Sequence, residues 1–141
     1  MNDYCVTIKC NKHNLLKMHQ QSFHEILPYL YIGDCSTFIC SMIVNCTKED
    51  EVAFPECDSI CIRIPVRDHP CESGLLLSYM KETDVLEKIH TQLKNNKTVL
   101  VHCSRGMQRS CAVVSCYLIR YHNMTAKSAI DFIKSKKHIE V

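Results

Sequence analysis

The stretch Val99-Leu-Val-His-Cys-Ser-Arg-Gly-Met-Gln-Arg-Ser110 decides how this chain folds. Thr98 to His102 is a short, largely β-branched run, the pattern of a buried strand. From Arg109 to Tyr121 the residues are apolar on nearly every side, the pattern of a helix inside a core. The residues between Cys103 and Arg109 must therefore turn the chain from strand to helix. A loop wound that tightly points its backbone N–H groups inward, and the helix start adds unpaired donors of its own. The product is a nest for a tetrahedral dianion. The same dipoles favour the thiolate of Cys103, a nucleophile toward phosphorus. Arg109, permanently charged and fork-shaped, can hold two phosphate oxygens. Gly106 omits a Cβ where the backbone bends or approaches the ligand. Ser104, Arg105, Gly106, Met107, Gln108 and Arg109 form the candidate phosphate-binding set.

A Cys followed six positions later by Arg is not decisive in a chain with 11 cysteines, and the sequence holds three such pairs: Cys57/Arg63, Cys61/Arg67 and Cys103/Arg109. The first two overlap the alternating run Ser59-Ile-Cys-Ile-Arg-Ile-Pro-Val66, contain no glycine and precede no helix. An extended strand points such a Cys and Arg apart. Only the third has strand, glycine-bearing loop and helix in order.

Working outward, Ile26 to Ile32 reads as a strand or hairpin closed by Gly33-Asp34, and Ser41 to Cys46 and Ser59 to Val66 as strands. Leu75 to Leu93 carries a helical stripe that ends at Asn95-Asn96. A last helix runs from about Thr125, an N-cap residue, to Lys136. Residues 1–24 are a weakly patterned N-terminal extension with a short helix at Asn14 to His19; residues 25–141 form one domain. The expected fold is α/β: a central mixed, mainly parallel sheet flanked by helices, with a phosphate-binding loop between a strand and a buried helix.

The formal charge of +2 gives no broad basic footprint for nucleic acid. No signal-peptide pattern opens the chain, and no apolar run of about 18 residues crosses a membrane. The odd number of cysteines then fits reduced thiols in the cytoplasm, with the nucleus also open to it. Cys40, Cys61, Cys111 and Cys116 lie among apolar neighbours and read as small buried hydrophobes. A zinc set of Cys5, Cys10, His13 and His19 matches no strong spacing template, and neither metal nor cofactor is expected.

His102-Cys-Ser-Arg-Gly-Met-Gln-Arg-Ser110 closely resembles the His-Cys-x-x-Gly-x-x-Arg-Ser signature of dual-specificity protein phosphatases. Ile26-Leu-Pro-Tyr-Leu-Tyr-Ile-Gly33 resembles the family's opening strand, and Val44-Asn-Cys-Thr-Lys-Glu49 its Asn-Val-Thr-x-Glu segment. Ile64-Pro-Val-Arg-Asp68 resembles the strand leading to its general-acid loop, and Cys111 to Ile119 and Met124 to Lys134 its next two helices. The resemblance implies a phosphatase of phosphotyrosine and phosphoserine/phosphothreonine proteins, working through a phosphocysteine. It makes Cys103 the nucleophile, Arg109 the phosphate clamp and Asp68 the general acid, with Glu72 and Asp58 as substitutes. It further implies that Ser110 helps the sulfur leave and that His102 tunes the thiolate. Cys46 and Cys111 are candidates for a protective disulfide with Cys103.

The chain departs from the pattern in three places. Cys71-Glu-Ser-Gly74 lengthens the path from Asp68 to Cys103, Arg105 stands where small residues are common, and about one helix fewer follows the signature. Relatives acting on inositol polyphosphates carry a basic residue at that loop position. The alternatives are accordingly a phosphatase of polyphosphates, such as RNA 5′-triphosphates or inositol phosphates, and a catalytically weak phosphate-binding module. Phosphorylated proteins are the expected partners, with nucleic acid only under the polyphosphate alternative.

Overall fold

A computed structural model describes residues 7–9, 23–35, 37–104 and 107–137. Its strands are β1 (Thr7–Lys9), β2 (His24–Leu27), β3 (Leu30–Gly33), β4 (Thr37–Ile39), β5 (Met42–Asn45), β6 (Ile60–Arg63) and β7 (Val99–His102). Its helices are α1 (Ser73–Thr83), α2 (Val85–Lys94), α3 (Gln108–His122) and α4 (Ala126–Lys137), with a 3₁₀ turn at Pro70–Glu72. A five-stranded sheet runs β2-β3-β7-β5-β6. The β2/β3 hairpin is antiparallel and the other pairs are parallel. This is the mixed, mainly parallel α/β sheet expected from the sequence.

The alternation along each strand separates two faces. Leu30 and Ile32, Met42 and Val44, Ile62, and Val99 and Val101 point to the helices and join Val85, Ile89, Val113, Val114 and Leu118 in one core. Tyr31 and Leu100 point the other way, onto Phe23 and Phe38. The Phe38 ring meets both Phe23 and Tyr31 edge-on, at centroid distances of 5.1 and 5.4 Å. Gly33 suits this close approach, because a Cβ would lie 3.1 Å from the Phe23 ring and press it back by a few tenths of an ångström. One step farther along this face the register sets Gly33, His102, Asn45 and Arg63 side by side. The sheet thus ends in a polar row, directly beneath the loops that leave β5, β6 and β7.

Several expectations change. The stripe from Leu75 to Leu93 is two helices, because Asp84 adopts a left-handed φ of 57° and ends α1 before α2 begins. The strand expected to reach Val66 stops at Arg63: Pro65 has no N–H, and Val66 N–H turns back to Ile64 O at 2.9 Å. Helix α3 is buried on one face only, with Ile119 40% exposed on the other. Among the cysteines read as buried hydrophobes, Cys61 is exposed and Cys40, Cys111 and Cys116 are half-buried, whereas Cys46 and Cys103 are fully buried. Helix α4 starts as expected: Thr125 Oγ1 accepts from Ser128 N–H at 3.1 Å, and Ser128 Oγ accepts from Thr125 N–H at 2.9 Å, a reciprocal cap. Thr7–Lys9, within the N-terminal extension, pairs in parallel with Thr37–Ile39. The helix expected at Asn14 to His19 and the zinc set lie outside the described residues. No helix among the described residues is long and apolar enough to cross a membrane.

Candidate active site

Parallel strands gather chemistry at their carboxyl ends, where the loops to the next elements leave the sheet. Here β5 feeds the loop carrying Glu51, β6 the loop carrying Asp68, and β7 runs into Cys103. Helix α3 opens at Gln108 behind Met107, whose left-handed φ of 53° sharpens the turn from strand to helix. The N-terminus of α3 thereby faces the loop after Cys103, with the dipole direction that favours an anion.

Arg109 is buried, at 6% exposure. Its Nη1 and Nη2 meet Glu51 Oε1 and Oε2 fork on fork, at 2.9 and 2.8 Å. Nη1 also donates to Val66 O at 2.9 Å, a carbonyl freed by the early end of β6. Nη2 also donates to Ser104 Oγ at 2.7 Å, and that hydroxyl donates onward to Glu51 Oε2 at 2.8 Å. Four of the five guanidinium N–H groups are therefore used. The fifth, on Nε, is buried and has no partner among the described residues. A buried charged donor costs about 1–3 kcal/mol or more where it stays unpaired, so this edge is open to an acceptor.

Burial pulls the Arg109 pKa down, but the Glu51 bond and the charges of Glu51, Cys103 and Asp68 outweigh it and raise it overall. Reciprocally, the hydrogen bond from Arg109, helped by Ser104, holds the Glu51 carboxyl below its usual range against the effect of burial. The pair accordingly stabilises the fold above the ordinary glutamate value and is lost only as pH falls through the lowered one. Glu51 went unread in the sequence, where the family-like segment ends at Glu49. The one available signal was the acidic cluster Glu49-Asp50-Glu51. A turn closed by Glu51 N–H on Lys48 O at 3.0 Å selects its third member.

Cys103 is 1% exposed. Its Sγ lies 3.4 Å from Ser110 Oγ, and that hydroxyl also reaches Met107 O at 3.1 Å. Ser110 can thus turn its proton to either acceptor, which suits a group that stabilises a departing thiolate. His102 is fully buried on the opposite sheet face. Its Nδ1 lies 2.9 Å from Asp34 O and 3.3 Å from Cys103 O, two carbonyls that require Nδ1 to carry the proton. Nε2 is then a bare acceptor with no partner among the described residues. Burial lowers the His102 pKa and keeps the ring neutral. Any influence of His102 on the sulfur passes through the backbone that it pins.

Asp68 is exposed and lines a cavity of about 380 Å³ together with Val66, His69, Leu76, Gln108 and Arg109. Glu72 lines the same cavity and also closes the loop around it. Glu72 Oε1 accepts from Arg67 N–H at 2.8 Å, and His69 Nδ1 from Cys71 N–H at 3.1 Å. The added residues of this segment thereby close the Asp68 loop on itself. Asp58 lines a separate cavity beside Cys57 and Ile60. Arg105 and Gly106 lie outside the described residues.

Residues 30–140 match the family model described as the dual specificity phosphatase catalytic domain. This chain belongs to the dual specificity phosphatase family. A putative tyrosine phosphatase of Invertebrate iridescent virus 6 is 37% identical over 122 residues, spanning 82% of this chain and 80% of the viral protein. The Xenopus laevis protein phosphatase Slingshot homolog is 33% identical over 124 residues, spanning 82% of this chain. The chain covers only 17% of the Slingshot homologue's length. Human DUSP28 superposes with a TM-score of 0.69 at 21% identity, covering 85% of this chain and 84% of that one, a likeness of fold.

Proposed function

We propose that this dual specificity phosphatase domain, residues 25–141, hydrolyses phosphotyrosine and phosphoserine or phosphothreonine on proteins through a phosphocysteine at Cys103. The observation that carries the reading is the buried Nε of Arg109, which has no partner among the described residues, on a guanidinium held by Glu51 beside Cys103 and the start of α3. A phosphate oxygen supplies the missing acceptor, and a second takes Nη2 in place of the Ser104 hydroxyl. The loop N–H groups of Ser104 to Arg109 receive the remaining charge. Cys103 Sγ attacks phosphorus, the ester P–O bond breaks, and Asp68 donates its proton to the departing oxygen. A water, losing its proton to Asp68, then attacks the phosphocysteine, and Ser110 hydrogen-bonds the sulfur as the S–P bond breaks.

A substrate panel in the presence of a chelator tests the reading: phosphotyrosine and phosphothreonine peptides, triphosphate-ended RNA and inositol polyphosphates. Both phosphopeptides are expected to turn over and to outrun the polyphosphates. A preference for RNA triphosphate or inositol phosphates transfers the domain to the polyphosphate alternative, with Arg105 as the residue to mutate. No turnover of any member leaves a phosphate-binding module.

The register also favours one partner for an oxidised Cys103. Cys46 N–H bonds His102 O at 2.8 Å, which continues the β5/β7 ladder and sets Cys46 beside Cys103. Neighbouring strands lie about 4.8 Å apart, and disulfides span Cα separations of about 4.4–6.8 Å. Burial first, and then the Cys103 charge, push the Cys46 thiol well up, so it waits as a thiol. Mild peroxide is expected to oxidise Cys103 to a sulfenic acid with release of water, and the Cys46 thiol then displaces a second water to form the disulfide. Peptide mapping should recover a Cys46–Cys103 link that dithiothreitol reverses. A Cys111–Cys103 link, or an untouched Cys103, contradicts this assignment.

A further inference from the structure

We propose that Arg63 is a positioning residue for the phosphate site, setting the grip of Arg109 through the loop that carries Glu51. The inference rests on the reading of Arg109 as the phosphate clamp. Arg63 ends β6 in the polar row of the sheet, next to Asn45. Its Nη1 donates to Thr47 O at 3.0 Å and Val52 O at 3.1 Å, and reaches Thr47 Oγ1 at 3.4 Å. Its guanidinium lies over the Phe54 ring, 4.8 Å from the centroid. The contacts thus bracket Glu51 on both sides, at positions 47 and 52–54.

Asn45 grips the same loop from the next strand. Its Nδ2 donates to Val52 O at 3.0 Å, and its Oδ1 accepts from Thr47 N–H at 3.0 Å and from the Thr47 hydroxyl at 2.6 Å. Asn45 and Thr47 are fully buried, so this half of the clamp is part of the sheet itself. Arg63 is only half-buried, and it alone reaches both shoulders of the loop with a cation and a flat face. The fork-on-fork pairing of Glu51 with Arg109 depends on where this loop holds its carboxylate, and that pairing fixes which guanidinium edge remains for phosphate. A small drift of the loop therefore becomes a loss of phosphate affinity rather than a loss of fold, which Asn45 preserves.

A double-mutant cycle between Arg63→Ala and Glu51→Gln separates this from general damage, because residues acting through one path give coupled losses. The readouts are the Kd for inorganic phosphate and kcat/KM for a small aryl phosphate, with thermal melting to verify folding. Each single variant is expected to weaken phosphate binding about tenfold, and the double variant no more than about twofold beyond Glu51→Gln alone. Arg63→Lys, which restores the cation and its N–H donors but not the flat face over Phe54, should recover part of the loss; it also carries the cycle if Arg63→Ala does not fold. Losses that multiply to about a hundredfold, or an Arg63→Ala protein that binds phosphate like the parent, overturn the inference. Arg109→Ala, measured in parallel, keeps the two readings apart. If it binds phosphate undiminished, the clamp reading itself has failed; if it loses phosphate while Arg63→Ala does not, only the role of Arg63 falls.

Discussion

Cys103→Ser is expected to lower turnover of every substrate by about 10⁴-fold or more while inorganic phosphate or vanadate still binds. The serine hydroxyl has no accessible anion near neutral pH, so the attacking species disappears. The groups proposed to hold the anion remain, among them the start of α3 and Arg109 fixed by Glu51 and Val66. Binding, followed by protection against thermal unfolding in added phosphate, should therefore survive the loss of chemistry. Cys57→Ser and Cys61→Ser supply the contrast, since these residues share the Cys-to-Arg spacing of the site. Cys61 is exposed on the edge strand β6 and Cys57 is half-buried before it, far in role from Arg109. Both variants should retain activity. Turnover persisting in Cys103→Ser, or a loss of phosphate binding equal to the loss of turnover, contradicts the assignment of Cys103 as nucleophile.

The parts of the site legible in the sequence are those that one short segment encodes. Strand, loop and helix between Val99 and Ser110 are contiguous, so their periodicity and one glycine mark Cys103 and Arg109 as candidates. Glu51 was not legible in this way, because it reaches Arg109 from another strand's loop and three adjacent acids compete for the position. The roles of Glu72 and Arg63 were hidden for a related reason. Each grips backbone atoms, Arg67 N–H in one case and Thr47 and Val52 carbonyls in the other, and no residue pattern announces a backbone partner. The break at Asp84 left a readable trace. Apolar residues 79 and 80 are followed next by 85 and 86, a step that at about 100° per residue carries the stripe out of phase. The polar row of His102, Asn45 and Arg63 needed the register, since these residues lie on three strands far apart in the chain.

Asp68→Asn is expected to cut turnover of phosphotyrosine and phosphothreonine peptides by about 10²–10⁴-fold while sparing an aryl phosphate with a strongly acidic leaving group. The reasoning follows the charge. As the P–O bond breaks, the departing oxygen gains negative charge, and a tyrosine or serine oxygen leaves badly without a proton. An activated aryl oxide or a pyrophosphate leaves adequately alone. Asp68 lines the same cavity as Arg109, which supports the reading that it faces the phosphoester, and Glu72 lines that cavity too. Glu72, the nearest substitute, is occupied in closing that loop through Arg67 N–H. Equal losses for good and poor leaving groups mean that Asp68 only shapes the cavity, and Glu72 becomes the next residue to replace. An Asp68→Asn protein undiminished on its best substrate means that the substrate brings its own good leaving group, which a pyrophosphate does and a phosphorylated side chain does not.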